Sequence, residues 1–590
     1  MSSLMKRKYI ISSLILFVIQ LTAFHLVFRY LFPFKEQLQM FQFTGQYAAM
    51  TLGQAGGVAL YISEFLSQFY VVMGTGPVIA AFILTGIAFF SSLLLKKISL
   101  RDDLPFVSLL PWLSLFIMQL DYDYQEQGTI AYLFLLFFLW LYTNLKPGIR
   151  LIYGICMIPV LYWIAGPIVH LFALSALLFE FLTNGSKKYA SLVYLLITIL
   201  SAVIGTYLGF SRNLKLAFLP DAYYDPMLHT PRIYYSWYAL PVMMVLGAYL
   251  KKWKEPASSK KKCIWIGIQW VAMGFVAYLG IIHWGRLDTI DHLEQDYYIR
   301  NEKWDKVITS FNQTTLSKRR MCGLNLALAH NGILSERLLD YPQRGIETLM
   351  LRWDQSVFTA ELHSDLYYCM GIISTAQKFA FEAFVSSHPS GNPRMLKRLV
   401  ETNLITGAYP TAEKYIQLLE NTWYYKDWAA AHRYFLYNDQ AVERDKELGA
   451  RRRCWKAETL IPELYTDPVS TLIHLVPACP ENSAGLQYLT SFLLLNKDIE
   501  TYKTLQENLY RSPAWRDMTE CQQEAIVICS PNDPHFWLEH GVSIKVRNKA
   551  LAFMQKVQAV SRSGQNPAVA LASEYGKTYW YYYMFNTMDK

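Results

Sequence analysis

Long apolar runs separated by short charged clusters fill the first half of the chain, and short amphipathic periods fill the second. Nine apolar stretches stand out, at about 9–31, 74–95, 104–120, 128–144, 151–165, 167–183, 189–209, 235–250 and 263–284. Most hold the roughly 20 residues a helix needs to cross about 30 Å of hydrocarbon; the fifth and eighth are short. The fifth and sixth are one apolar run interrupted at Gly166-Pro167. A proline inside one continuous helix loses a hydrogen bond and clashes with the preceding turn, so the pattern predicts a tight hairpin there. Beyond Gly285 the period is helical: Leu486, Leu489, Phe492 and Leu493 form one stripe. Tyr502, Leu505 and Leu509 form the next, after a turn at Asn496-Lys497-Asp498. Strand-like alternation is scarce. The expected fold is all-α: a polytopic transmembrane helix bundle of about nine spans over residues 1–285, with an outer loop at 32–73, then a soluble α-helical repeat-like domain over 286–590.

Charge gives this bundle a direction. The chain is 53% hydrophobic and 17% charged with net charge +9, too apolar for disorder and, at 590 residues, too long for one ordinary domain. Residues 1–285 carry 21 Lys+Arg against 11 Asp+Glu (+10), and residues 286–590 carry 34 against 35 (−1). The excess positive charge therefore lies between membrane-length apolar runs and not on a soluble surface, which excludes a nucleic-acid partner. Sixteen Lys and Arg fall in the amino terminus and the loops after the second, fourth, sixth and eighth stretches, whereas the alternate loops hold only Lys35, Arg212, Lys215 and Arg232. The positive-inside rule then puts the amino terminus in the cytoplasm and, with an odd number of spans, everything after about Trp284 outside. The first stretch starts with Lys6, Arg7 and Lys8 like a signal peptide. It is too long and lacks a small-residue cleavage site, so it is expected to stay as an anchor.

Within the second half, Gly371-Ile-Ile-Ser-Thr-Ala376-Gln-Lys-Phe379 aligns with Gly407-Ala-Tyr-Pro-Thr-Ala412-Glu-Lys-Tyr415 at an offset of 36 residues. Gly ends one helix, a small Ala marks close packing of the next, and an aromatic follows three residues on. That spacing resembles a degenerate tetratricopeptide repeat, whose period is about 34. Asn301-Glu-Lys-Trp304 looks like another second-helix start, although the register is lost beyond Ala412. Six of the eight cysteines lie in this half, where disulfides are permitted, but none has metal-ligand spacing. Cys521 and Cys529 would stand roughly 12 Å apart on one helix, too far to bridge. Buried thiols are the default expectation.

Candidate chemistry gathers at the outer mouth of the bundle. Asp121-Tyr-Asp123-Tyr-Gln-Glu126 fills a very short outer loop, and carboxylates two residues apart on a turn can share a divalent metal ion or hold a diphosphate through it. Glu36 lies just outside the first span. Val58, Ile62, Phe65, Leu66 and Phe69, opposite Ser63, Glu64, Ser67 and Gln68, describe an amphipathic helix lying in the membrane interface with its polar side to water. Arg212, Arg232 and Arg286 are outer cations able to contact a lipid phosphate. Asp225 and His229 could ligate a metal, His170 reads as a packing residue, and Glu180 as a side chain reaching the cytoplasmic interface. No phosphate-binding Gly-rich loop, nucleophile elbow, zinc-protease or haem motif is present, which argues against an ATP-driven pump or a membrane metalloprotease.

Glu36-Gln-Leu-Gln, the loop helix from Gly56-Gly57 to Gln68-Phe69, Asp121-Tyr-Asp123 and the closing Thr578-Tyr-Trp-Tyr-Tyr-Tyr583 resemble an uncharacterised family of bacterial polytopic inner-membrane proteins with a helical exported tail. That resemblance implies the inner membrane and a periplasmic carboxy-terminal domain, and no activity. A more distant likeness is architectural. C-type membrane glycosyltransferases place an acid after the first span, interfacial helices in a long first outer loop and further acids in the next short one, and some end in tetratricopeptide repeats. Glu36, residues 58–69, Asp121/Asp123 and residues 286–590 occupy those places, although Glu36 stands without the adjacent second acid common there. The likeness implies transfer of sugar from a polyprenyl-phosphate-linked donor at the outer face, with Glu36, Asp121 and Asp123 catalytic and Asp121, Asp123 and Glu126 holding a metal. The alternative expectation is a non-enzymatic scaffold whose exported repeats bind a protein or an envelope polymer.

Overall fold

Every one of the nine apolar stretches folds as helix, yet their lengths differ widely. A computed structural model describes residues 3–183, 185, 188–223, 232–256, 258–311, 317–387, 391–461, 467–531 and 533–586. Among these the chain is all-α; the only β pairing is a pair of isolated bridges at Trp515. Four helical runs are long and apolar enough to cross a membrane: Thr75–Ser99, Pro147–Leu182, Ala190–Tyr207 and Ser259–Trp284. The third stretch falls short. Pro105 and Pro111 each open a new helix, and the second piece, Leu110–Gln119, has 10 residues, about 15 Å at 1.5 Å per residue.

Two units make up the chain: Met1–Leu293 with Asn421–Tyr424, and Glu294–Ser387 with Gly391–Glu420 and Tyr425–Lys590. In the first, helix Thr75–Ser99 is central, packing against Ser3–Leu26, Leu110–Gln119, Gln127–Asn144 and Arg232–Leu250. Small residues permit the close approach: Ala80 and Ala81 are wholly buried, and a side chain on Gly76 would run into Phe32. Gln20 stitches the neighbours together. It donates to Ala81 O (2.7 Å) and Thr85 Oγ1 (2.6 Å) and accepts from Trp112 Nε1 (2.9 Å).

The 36-residue run Pro147–Leu182 is two helices folded back on each other. Gly166 takes the left-handed φ of 77° that ends the first, and Arg150 near its start meets Glu180 near the end of the second at 2.7 Å. The hairpin expected from Gly166-Pro167 is present. Glu180 corrects another expectation: it does not reach out to solvent but lies buried, accepting from Arg150 and from Tyr142 OH at 3.1 Å. A partner on the neighbouring helix makes burial less costly than the sequence position implied.

The second unit is built of short amphipathic helices in pairs. Val357–Met370 and Ile373–Ser386 are joined at Gly371 (φ 81°), and Pro393–Thr406 and Tyr409–Glu420 at Gly407 (φ 77°), so the two pairs begin 36 residues apart. Ala376 and Ala412 are both fully buried. Near the carboxy terminus the aromatic run Tyr579–Phe585 clamps two earlier helices: Tyr579 OH donates to Leu494 O (2.8 Å), Tyr582 OH to Leu495 O (3.0 Å) and Trp580 Nε1 to Glu524 O (2.9 Å). Cys454 and Cys479 form a disulfide, with Cα atoms 5.5 Å apart. The expectation of thiols throughout is corrected for this pair, whose 25-residue separation the sequence could not close. Cys521 and Cys529 share helix Glu520–Cys529 and remain free thiols.

Candidate functional site

The short loop that joins Leu110–Gln119 to Gln127–Asn144 splits its acids between two environments. Asp121 and Asp123 form one: the Asp123 N–H donates to Asp121 Oδ1 at 3.2 Å, holding the two carboxylates on one turn. Arg286 follows the end of helix Ser259–Trp284, with a left-handed φ of 44°, and its Nη1 lies 3.9 Å from Asp121 Oδ1 and 3.7 Å from Asp123 Oδ2. Its guanidinium sits 4.3 Å from the Tyr122 ring centroid, and Tyr122 packs edge-on to Phe34 at 5.7 Å. Like charges this close need compensation, and a protein cation supplies it.

Glu126 belongs to the second environment. It is 1% exposed and turned inward, accepting from Gln119 Nε2 at 2.6 Å. Gln119 in turn accepts from Lys35 Nζ through its backbone oxygen (2.9 Å) and its side-chain oxygen (3.2 Å), and donates to Thr129 Oγ1 (3.1 Å). Lys35 is 3% exposed and lies over the Tyr124 ring at 5.4 Å. Burial pushes the Lys35 ammonium down to about 8, against Glu126, Asp121 and Asp123, which push it up. Burial likewise raises the Glu126 carboxyl above its usual range, opposed by Lys35, Gln119 and Tyr70. The result is a buried cation, an amide and a carboxyl joined in series.

The expected metal set is therefore not gathered: among the described residues no group of three or more His, Cys, Asp or Glu side chains is placed to hold a metal ion. Glu36 is buried beside this network and accepts from the Gln37 side chain. Of the expected phosphate-binding cations, Arg286 is committed to Asp121 and Asp123, Arg212 is exposed, and the Arg232 side chain lies outside the described residues. Asp225 and His229 also lie outside them. His170 bonds Ala217 O at 3.2 Å and stacks on Phe218 at 4.8 Å, a packing role.

The interfacial helix is turned over relative to expectation. In Gly57–Ser67 the polar residues Ser63, Glu64 and Ser67 are buried, whereas Phe65 is exposed. Glu64 accepts the Tyr47 hydroxyl. The neighbouring helix Gly45–Leu52 supplies the hydroxyl that Glu64 needs, so this polar side faces protein and Phe65 faces out. Just before this helix, Gly56 (φ 75°) touches the Gly166 hairpin tip, and its N–H donates to Tyr162 O at 3.1 Å.

Sequence reasoning missed Lys35 and Gln119. The available signal was Lys35 itself, a lysine next to Glu36 on the side of the bundle otherwise poor in cations.

No curated protein and no solved structure matches the chain. One family model does, over residues 5–586, and the chain accordingly belongs to a family of unknown function (DUF6057).

Proposed function

We propose that the protein is a multi-pass membrane scaffold that presents a helical binding domain outside the cytoplasm of a bacterium. In this reading the nine apolar stretches cross the inner membrane, the third as two short helices in series, the amino terminus is cytoplasmic, and the second unit is a periplasmic, tetratricopeptide-like module that binds a protein or envelope polymer. The observation that carries it is the Arg286 ion pair: Asp121 and Asp123 are matched by a cation of the protein itself, with no call on a metal or diphosphate. The Cys454–Cys479 disulfide supports an oxidising compartment for the second unit. Alternation is supported by meetings among loops assigned to the cytoplasmic side, Arg101 Nη1 with Trp253 O at 2.9 Å and Lys262 with Asp102 at 2.8 Å.

A second reading, a glycosyl transferase using a polyprenyl-phosphate-linked donor at the outer face, draws on the buried Lys35–Gln119–Glu126 series, which has the proton-holding chemistry an acid–base step needs. Complementation of a deletion strain separates the two. On the scaffold reading Asp123→Asn and Glu36→Gln each complement the deletion and return the wild-type phenotype at normal protein level. Loss of function by both variants, with membrane insertion intact, would reverse the order. A reporter active only outside the cytoplasm, fused at Lys590, is expected to be active, and one fused after Lys188 inactive; the opposite pattern removes both readings.

A further inference from the structure

The second unit contains a cavity of about 100 Å³ lined by residues of helices Ile290–Arg300, Trp304–Thr309, Lys318–His330, Val357–Met370, Pro393–Thr406 and Lys446–Glu458. Its lip is aromatic: Trp304 and His330 stack at 3.9 Å with 6° between their planes, Trp304 half-buried and His330 exposed. Glu302, also on the lining, sits in the turn before Trp304 with a left-handed φ of 53°, a conformation that is costly for a non-glycine residue.

Deeper in, planar groups are fixed against one another. The Arg398 guanidinium lies 3.6 Å from the Tyr368 ring centroid and donates to Glu401 (2.9 Å) and Asp365 (3.2 Å). Arg394 joins Asp365 to Asp296 by bonds of 2.5 and 2.7 Å. Tyr368 is 3% exposed, and its hydroxyl has no hydrogen-bond partner among the described residues. A buried unsatisfied hydroxyl is costly and rare, so this one calls for a polar partner that those residues do not supply.

Charge selects the ligand class. The lining holds four basic and four acidic side chains. Those charges balance, so an anion such as a phosphate or diphosphate, or a basic peptide, would be repelled by as many lining groups as attract it. A neutral polyhydroxylated ring meets neither penalty: its hydroxyls donate to carboxylates and accept from guanidiniums, and its CH face packs on an aromatic ring. The cavity is smaller than the ~150 Å³ that takes benzene, so it admits part of one sugar ring, with the remainder lying on the Trp304 lip.

We infer that this cavity binds a neutral saccharide, one ring of a glycan chain at a time. The inference rests on the scaffold reading and names the chemistry of its partner. The test is a glycan array of neutral and acidic oligosaccharides probed with the full-length protein in a detergent without a sugar headgroup. Hits are then titrated by tryptophan fluorescence. Saturable binding of neutral glycans is expected, weakened about tenfold in Trp304→Ala and in Glu302→Gln, with melting temperature unchanged in the second variant. Binding confined to acidic glycans, no binding to any glycan, or binding indifferent to both substitutions overturns it. Failure here with Asp123→Asn still functional leaves the scaffold reading in place, whereas loss of function in Asp123→Asn and Glu36→Gln removes that reading whatever the array shows.

Discussion

The two units solve the same problem, ending helices and burying charge, in opposite ways. In the second unit helix after helix begins with a side-chain cap: Ser317, Ser356, Asn392, Asp445, Asp498, Thr519, Ser543 and Thr578 each accept from the first turn. In the first unit Ser258 caps Ser259–Trp284, but Thr75–Ser99, Gln127–Asn144, Pro147–Ala165 and Val193–Tyr207 have no such bond, with Gly74, Pro147 and Gly166 at their limits. Buried charge differs likewise. The first unit holds it in small separate groups, Arg101 with Asp103, Arg150 with Glu180 and Lys35 with Glu126 through Gln119, whereas the second gathers Arg394, Arg398, Asp296, Asp365 and Glu401 into one larger network. Short helices in water have many ends to satisfy and solvent at each; long apolar helices have few, and a charge among them is tolerated only beside its own partner.

That contrast can be broken most directly at Lys35. Lys35→Met leaves Glu126 buried without its cation and should lower stability in detergent by about 3–5 kcal/mol, and adding Glu126→Gln should recover much of it. Thermal unfolding of single and double variants measures this; independent, additive losses would show that the two groups are not coupled. The ammonium is held at about 8 against an ordinary 10.5, so the unfolded chain binds the extra proton between those values. The contribution of Lys35 to stability therefore rises as pH goes from 8 to 10.5, and that increment should vanish in Lys35→Met.

The second unit has a covalent constraint that can be removed. Replacing Cys454 with Ser opens a loop of 25 residues and should cost about 3.5 kcal/mol by the chain-entropy argument. Comparing unfolding of the variant with wild type, oxidised and reduced, checks it. A cysteine variant as stable as oxidised wild type would mean that helix packing alone holds this region.

A smaller effect is expected where the helix pairs meet. Ala412→Leu should overpack a fully buried position and cost roughly 1–3 kcal/mol, whereas Lys414→Leu, exposed on the same helix, should cost much less. Glu413 is an unsuitable control, because it accepts from Tyr437 OH at 3.1 Å and faces Arg433 at 3.5 Å. Equal shifts from the two leucine variants would remove the case for close packing at Ala412.

Least of all should follow from Arg286→Gln. Its contacts with Asp121 and Asp123 are 3.7–3.9 Å long and its side chain is 35% exposed, so the loss should stay below about 1 kcal/mol and shrink with added salt. A much larger, salt-insensitive loss would make the pair part of the buried first-unit pattern.

Much of this molecule is written in one-dimensional patterns. Apolar run length placed helix in each of the nine apolar stretches of the first unit, because a helix surrounded by apolar contacts needs only hydrophobic residues at every position. Pro167 after Gly166 fixed the hairpin, since backbone sterics are local, and the 36-residue echo placed Gly371 and Gly407 at helix ends. What the patterns left open depends on which side chains meet. Glu126 is three residues from Asp123 yet faces Lys35 through Gln119; Asp121 and Asp123 meet an arginine more than 160 residues later. Glu64 turns inward, and Glu180 finds Arg150. A helical period says which residues share a face, and composition says what a face prefers, but the free energy of a buried charge is set by the group opposite it, and only the tertiary structure chooses that group.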